Sequence, residues 1–572
     1  MFALKTYQNQ EDFFIHSQNY YLKISSLLVS GWAQASHKRH LLAAAMVAGV
    51  SCGAQAQMTQ NLTIHPKALA LGNAVTADPP GLMAIHYNPA GLTKLDGRQL
   101  EVNLLSIYLD IDADFYADED YEIFGISGLE TDPLTGKQRD PIANSSSHTN
   151  NVALYVPGYG ILRMPPGPAV APSAGISIKP PGSKLTFANA FYLPMAAGFY
   201  RDKNDPGRYQ PQAATLQRTT YLSPTVGYEI NDEWSVGAGI HLSHFGFAAD
   251  QYMRAPNLLM GVAEVLQDAF NCESGDEPLQ PWLALCGGNV GPWDDIGAMS
   301  LNLQETISPT YALGVMWEPT DWFRWGASYT SEADMNLKGQ FEIQYTDDWS
   351  GFWQSVNGSI LGAISSAILS LPSGAPREAG NVSMDLVYPQ HFQTGISVDV
   401  HPKLTVNADV GWTDFAQWDA FNFQFDRNLE FLNAARILSP DNATSDTLRL
   451  PLGFKSQWNW AFGVEFHASS RLDLRAGVEI RDSVIPDDQR SIMAPFGGAN
   501  LYSIGMGYKW DKDTEIDMNL SYLQSIETIP ADTSCNVNCD NITNIIYNPY
   551  ADLTIKTSLR VVMAGLSFRT KF

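Results

Sequence analysis

Apolar and polar residues alternate with period two over most of this chain, from Glu101 to its last residue. Leu105, Ile107, Leu109, Ile111, Ala113 and Phe115 share one face of the first alternating stretch. Ser106, Tyr108, Asp110, Asp112 and Asp114 share the other. Successive side chains of a strand point to opposite faces, so this period reads as β-structure. The pattern predicts strands over 101–115, 169–178, 185–200, 215–230, 235–251, 301–318, 323–345, 383–400, 404–425, 455–468, 471–485, 499–510, 514–529 and 555–572. Tight turns such as Asn231-Asp232-Glu233, His401-Pro402-Lys403 and Ser469-Ser470 join some of them. Long segments at 116–164, 254–300, 346–381, 427–453, 486–498 and 530–553 join others. Short turns at one end and long loops at the other are the rhythm of a transmembrane β-barrel. The expected fold class is therefore all-β, an antiparallel barrel of about 14 strands. A large soluble sandwich or propeller also alternates. Tryptophans near strand ends (Trp234, Trp317, Trp322, Trp325, Trp412, Trp458, Trp460, Trp510) read as interfacial girdles and favour the barrel.

One apolar stretch does not alternate. Ala68 to Leu92 (ALALGNAVTADPPGLMAIHYNPAGL) holds Pro79, Pro80 and Pro89 with Gly72, Gly81 and Gly91. These residues exclude a long helix or a ladder strand, yet the segment is apolar enough to require burial. A compact plug inside the barrel meets both demands. Elsewhere, Leu258–Phe270 and Trp353–Leu371 carry helical spacing inside long loops, and Pro194 interrupts the third strand with a residue that cannot donate to a ladder.

Composition adds an address. No apolar run of about 18 residues exists, so helical spans are not expected. His37-Lys38-Arg39-His40, then LLAAAMVAGVSCGA, then Ala54-Gln55-Ala56 form a signal peptide pattern with cleavage expected at Ala56/Gln57. The expected division is a leader over 1–56, a plug over 57–97 and a barrel over 98–572. A net charge of −25 argues against a nucleic-acid partner. In an exported chain, Cys272/Cys286 and Cys535/Cys539 read as loop disulfides.

Catalytic and metal motifs are missing: there is no G-x-S-x-G, H-E-x-x-H or P-loop. His241 and His244 are expected on opposite faces of a strand. Asp110-x-Asp112-x-Asp114 with Asp118 has the start of a calcium loop, but Phe115 stands where glycine is needed and Tyr121 where glutamate is. The acidic run is read instead as a polar inner face near the outer rim. No metal, no cofactor and no enzyme activity is expected.

The chain resembles the FadL/TodX family of outer-membrane transporters for hydrophobic compounds. The resemblance rests on the plug with Asn88-Pro89-Ala90, Ser308-Pro309-Thr310-Tyr311 through Ser328-Tyr329-Thr330-Ser331, and Gly453-Phe454-Lys455. Leu474-Arg475-Ala476-Gly477 through Asp482-Ser483-Val484-Ile485-Pro486-Asp487 also carries it. It implies a 14-stranded barrel with a hatch in the lumen, and passive transport of long-chain fatty acids or similar molecules. Capture would occur in an apolar loop groove, for which Leu258, Leu259, Val262, Leu266, Ile360, Leu361 and Ile364 are candidates. Hatch movement at Asn88, Pro89 and Ala90 would open a lateral gap at Pro194. Arg254 and Lys455 are the candidates for a ligand carboxylate. The expected partners are the hydrophobic ligand, outer-membrane lipid and lipopolysaccharide, and the barrel assembly machinery through terminal Phe572, around a monomer. Aromatic-hydrocarbon uptake, and a structural or adhesion barrel without transport, are the competing readings; a lipid hydrolase would need a Ser/His/acid cluster that the sequence does not offer.

Overall fold

The computed structural model describes residues 61–132, 136–272, 279–492, 498–539 and 548–572. The expected leader and its cleavage site lie outside the described residues.

Fourteen antiparallel staves close into a barrel, named here β1 to β14. Unbroken staves are β1 (Arg98–Tyr116), β2 (Ala169–Ile178), β3 (Leu185–Tyr200), β5 (Trp234–Met253) and β6 (Gly297–Thr320). So are β11 (Leu472–Arg481), β12 (Ala499–Lys509), β13 (Thr514–Ile529) and β14 (Thr554–Lys571). Five are interrupted part-way. They are β4 (Ala213–Leu222, Thr225–Glu229), β7 (Phe323–Thr330, Ala333–Tyr345), β8 (Arg377–Tyr388, His391–His401), β9 (Leu404–Thr413, Ala420–Phe425) and β10 (Thr447–Pro451, Gln457–His467). The ring closes where β1 pairs with β14 from Gln99–Lys571 to Tyr116–Thr554. Closure leaves no edge, which a spanning sheet in a bilayer requires.

β1 shows how one strand serves several surroundings. Near the turn end its outward residues Leu100, Val102 and Leu104 are exposed apolar side chains, while Gln99, Glu101 and Asn103 are buried inside. Near the loop end the assignment reverses. Ile107, Leu109 and Ile111 line an internal cavity. Asp110, Asp112 and Asp114 continue the outward face of Leu100 and Leu104. The acidic run is thus not a lumen lining; it stands on the barrel's outer face beyond the apolar belt. Arg560 lies 3.0 Å from Asp112, and Ser146 donates to Asp114 at 2.6 Å. Alternation alone separates two faces without saying which is inside.

The lumen holds residues 61–97, including α1 (Pro66–Ala70), α2 (Ala84–Tyr87) and a 3-10 turn over Pro89–Lys94. This hatch is clamped by buried polar bonds to the wall. Thr76 N donates to Asp409 at 2.7 Å, Leu82 N to Glu101 at 2.8 Å, and Asn73 Nδ2 to Glu479 at 2.7 Å. Wall glycines let backbone meet backbone: a Cβ on Gly237 would strike Pro89, on Gly314 Asn88, on Gly326 Thr76 and on Gly477 Leu71.

The long loops carry α3 (Leu258–Ala269), α4 (Asp347–Gly358), α5 (Ile360–Leu369) and α6 (Glu430–Leu438). The single helix expected over Trp353–Leu371 is two, because Ser359 takes extended backbone and caps α5 through its side chain on Gly362 N. Replacing Gly314 or Gly477 by Val is expected to cost about 1–3 kcal/mol through overpacking against the hatch. Denaturant midpoints would show it, and Gly358→Val, where a Cβ meets open space, is the matched control.

Candidate functional site

The cavity near the loop end has a volume of about 540 Å³, within the range of ligand sites. Its inner part is made by Phe247 of β5, Phe421 of β9, and Trp418, Leu452 and Phe454 from breaks in β9 and β10. Ile107, Leu109 and Ile111 of β1 and Leu559 and Met563 of β14 form the facing wall. No Lys, Arg, Asp or Glu lines it among the described residues.

The cavity leaves the lumen sideways. β2 pairs with β3 only from Ile178–Phe187 to Ala174–Phe191. Beyond that point β3 pairs with β4, with a register shift between Tyr192 and Met195, and its upper end is bridged at Phe199 to Val152 of the preceding long segment. Pro194 lies in that shift, where a residue without N–H cannot hold a ladder. The resulting slit is apolar. Val170 (52% exposed), Phe191 (38%) and Tyr221 (40%) line the outer end of the cavity and also face outside.

The start of the hatch closes the slit. Asn61 N donates to Pro194 O at 3.3 Å, Thr63 Oγ1 donates to Leu193 O, and Leu62 and Thr63 line the cavity. By contrast, the Asn88-Pro89-Ala90 turn is pinned. Asn88 Nδ2 donates to Thr76 O (2.8 Å) and Val315 O (3.1 Å), and Asn88 Oδ1 accepts from Ala90 N (3.1 Å).

The groove candidates lie on the loop helices, outside the cavity. Leu258, Leu259 and Leu266 of α3 and Ile360, Leu361 and Ile364 of α5 are exposed, with Val262 half-buried. The segment between them ties both helices together: Ile360 N donates to Pro281 O (2.9 Å), and Gln267 Nε2 donates to Leu285 O (2.8 Å). Cys272–Cys286 and Cys535–Cys539 are disulfide-bonded.

Neither expected carboxylate partner reaches the cavity lining. Arg254 is fully buried in the loop layer, 2.6 Å from Asp140 and bonded to Pro549 O. Burial opposes its charge, and the Asp140 carboxylate more than offsets that, so the guanidinium stays charged and already paired. Lys455 is exposed, and its backbone N–H bonds Val484 O. The sequence reading missed Arg218. It sits on the inward face of β4, two residues below the cavity-lining Leu216, and is buried. Its guanidinium donates to Ser308 Oγ (2.8 Å) and Ser308 O (2.9 Å) and lies 4.0 Å from the Tyr388 ring centroid. No carboxylate stands within ion-pair distance of it among the described residues. Its signal was an arginine on the inward, period-two face of a strand.

His241 and His244 do face apart. His241 points inward to Tyr192 OH (3.2 Å), and His244 outward to Gln304 (3.2 Å) beside a β-bulge. Two groups of potential metal ligands converge, Asp110/Asp112/His148 and Glu465/His467/Asp473. An arginine pairs with one carboxylate of each, Arg560 with Asp112 and Arg475 with Glu465.

A family profile described as outer membrane protein transport protein (OMPP1/FadL/TodX) matches residues 44–572. The chain belongs to the FadL/TodX family. The long-chain fatty acid transport protein of Escherichia coli O6:H1 (strain CFT073) is 22% identical over 461 residues, 79% of this chain and 82% of that one. A Pseudomonas aeruginosa FadL homologue shares the fold with a TM-score of 0.62 at 17% identity, over 91% of this chain and all of that one. The Pseudomonas putida toluene transporter TodX does so with a TM-score of 0.55 at 13% identity, over 91% of this chain and 99% of that one. The family consists of outer-membrane transport proteins for hydrophobic substrates.

Asp140→Asn should leave Arg254 a buried, uncompensated charge and cost roughly 3–5 kcal/mol. Thermal unfolding with a ligand-binding assay checks this: stability should fall while affinity per folded molecule holds.

Proposed function

We propose that this protein passes long-chain fatty acids, or similarly apolar molecules, across the bacterial outer membrane without an energy source. Ligand leaves sideways through the slit at Pro194. The observation that carries this reading is the continuity of the cavity from Trp418 and Phe421 inside to Val170, Phe191 and Tyr221 on the outer surface. An apolar ligand gains roughly 25 cal/mol per Å² on leaving water for such a lining. The straight route toward the turn end is closed to it by the hatch, by the buried ion pairs of Arg475 with Glu465 and Asp517, and by the half-buried pair of Arg569 with Glu515.

In this reading the exposed apolar faces of α3 and α5 capture ligand first. Asn61–Thr63 is the gate, and Asn88-Pro89-Ala90 is the corner it moves against. Arg218, beneath the cavity, is the counter-charge for a lipid carboxylate, in place of Arg254 and Lys455. The name of the Escherichia coli relative supports an acidic lipid. The uncharged lining favours a second reading, a neutral hydrocarbon. Export with cleavage before Gln57, insertion through the barrel assembly machinery at Phe572, and a monomer surrounded by lipopolysaccharide complete the proposal.

Linking Thr63→Cys to Leu193→Cys should abolish uptake of labelled oleate, while either single substitution leaves it. Full uptake by the linked protein would overturn lateral exit. Arg218→Met should weaken oleate binding roughly tenfold to a hundredfold, the worth of hydrogen bonds to a charged group, and leave dodecane binding unchanged. Equal loss for both ligands would remove the carboxylate assignment.

A further inference from the structure

The wall has a second interruption, and it borders the same cavity. Pairing of β8 with β9 stops at Asp385–Asn422 and resumes at His391–Thr413. Between these points the two staves are joined by few bonds. Asp414 N donates to Gln390 O (3.1 Å), Gln390 Nε2 donates to Asp414 (3.1 Å), and Trp418 Nε1 donates to Val387 O (2.6 Å).

Trp418 fills this slit from within. It is 1% exposed, stacked on Phe454 and edge-on to Phe415, and it lines the apolar cavity. Its neighbours Gln417 and Asp419 belong to the other side. With Asp334, Asn336, Asp385 and Asn422 they line an outer recess of about 430 Å³. One indole therefore stands between the cavity and the recess. The slit's lower edge is at tyrosine level: Tyr329 OH donates to Gln390 (2.9 Å), and its ring lies 6.0 Å from that of the exposed Tyr311. Such tyrosines mark the headgroup layer of a bilayer. The recess carries three carboxylates, of which Asp419 is paired with Arg449 (2.6 Å).

We propose that this slit is a second side entrance to the cavity, shut by Trp418, that takes uncharged or cationic-headed amphiphiles from the headgroup layer. A cationic or hydroxyl head rests among Asp334, Asp385 and Asn422, and the tail passes the indole into the cavity. A carboxylate head is repelled there. The role of the cavity as a transport route is taken from the function proposed above.

The test uses the full-length protein in cells. In the Thr63→Cys/Leu193→Cys background, Trp418→Ala should raise dodecylamine uptake about tenfold over the linked parent, the rate equivalent of one lost buried hydrogen bond. Laurate uptake should stay blocked, and Trp418→Phe should fall between. No gain for dodecylamine, or an equal gain for laurate, overturns the proposal. Binding is read separately in protein that keeps Trp418. Maleimide modification of Ala420→Cys, at the recess, should be slowed severalfold by dodecylamine and not by laurate. Unslowed modification overturns the entrance. If wild-type cells take up no apolar ligand at all, the transport reading fails, and the protection result still decides the site.

Discussion

A bilayer supplies no hydrogen bonds, so every backbone group in the wall needs a partner from the protein itself. That constraint governs how a barrel can have a hole in its side. At Pro194 the ladder is broken, and the carbonyls left over at Leu193 and Pro194 are taken by Thr63 and Asn61 of the hatch. At Val387 the orphan carbonyl is taken by an indole. Each break is thus covered by a donor from another part of the chain. The segments that cover the cavity are also those that satisfy the wall.

The same constraint explains the division of the lumen. Toward the turn end the wall faces the hatch, whose irregular backbone presents many donors; Glu101, Asp409 and Glu479 accept from it. Toward the loop end the inward positions around the cavity are apolar among the described residues.

The number and order of strands were legible because alternation is local and each strand declares itself. The plug was legible because Pro79, Pro80 and Pro89 forbid the alternatives. Pro194 announced a break by its missing donor. What alternation could not give was orientation: Asp110 to Asp114 turned out to face outward, since period two is unchanged by exchanging the faces. Arg254 reads from the sequence as an unpaired cation because a loop arginine says nothing about Asp140, distant in sequence, which pairs with it. Arg218 escaped notice for the opposite reason: its isolation depends on what five neighbouring staves fail to provide. The break at Trp418 was equally hidden, since the sequence through 404–425 reads as one strand.

The wall glycines carry a consequence for biogenesis. Gly237, Gly314, Gly326 and Gly477 stand on four different staves, each closed over hatch backbone with no room to spare. Barrel closure and hatch packing are therefore coupled: a ring closed at β1 and β14 without residues 61–97 would leave these four glycines facing an empty lumen.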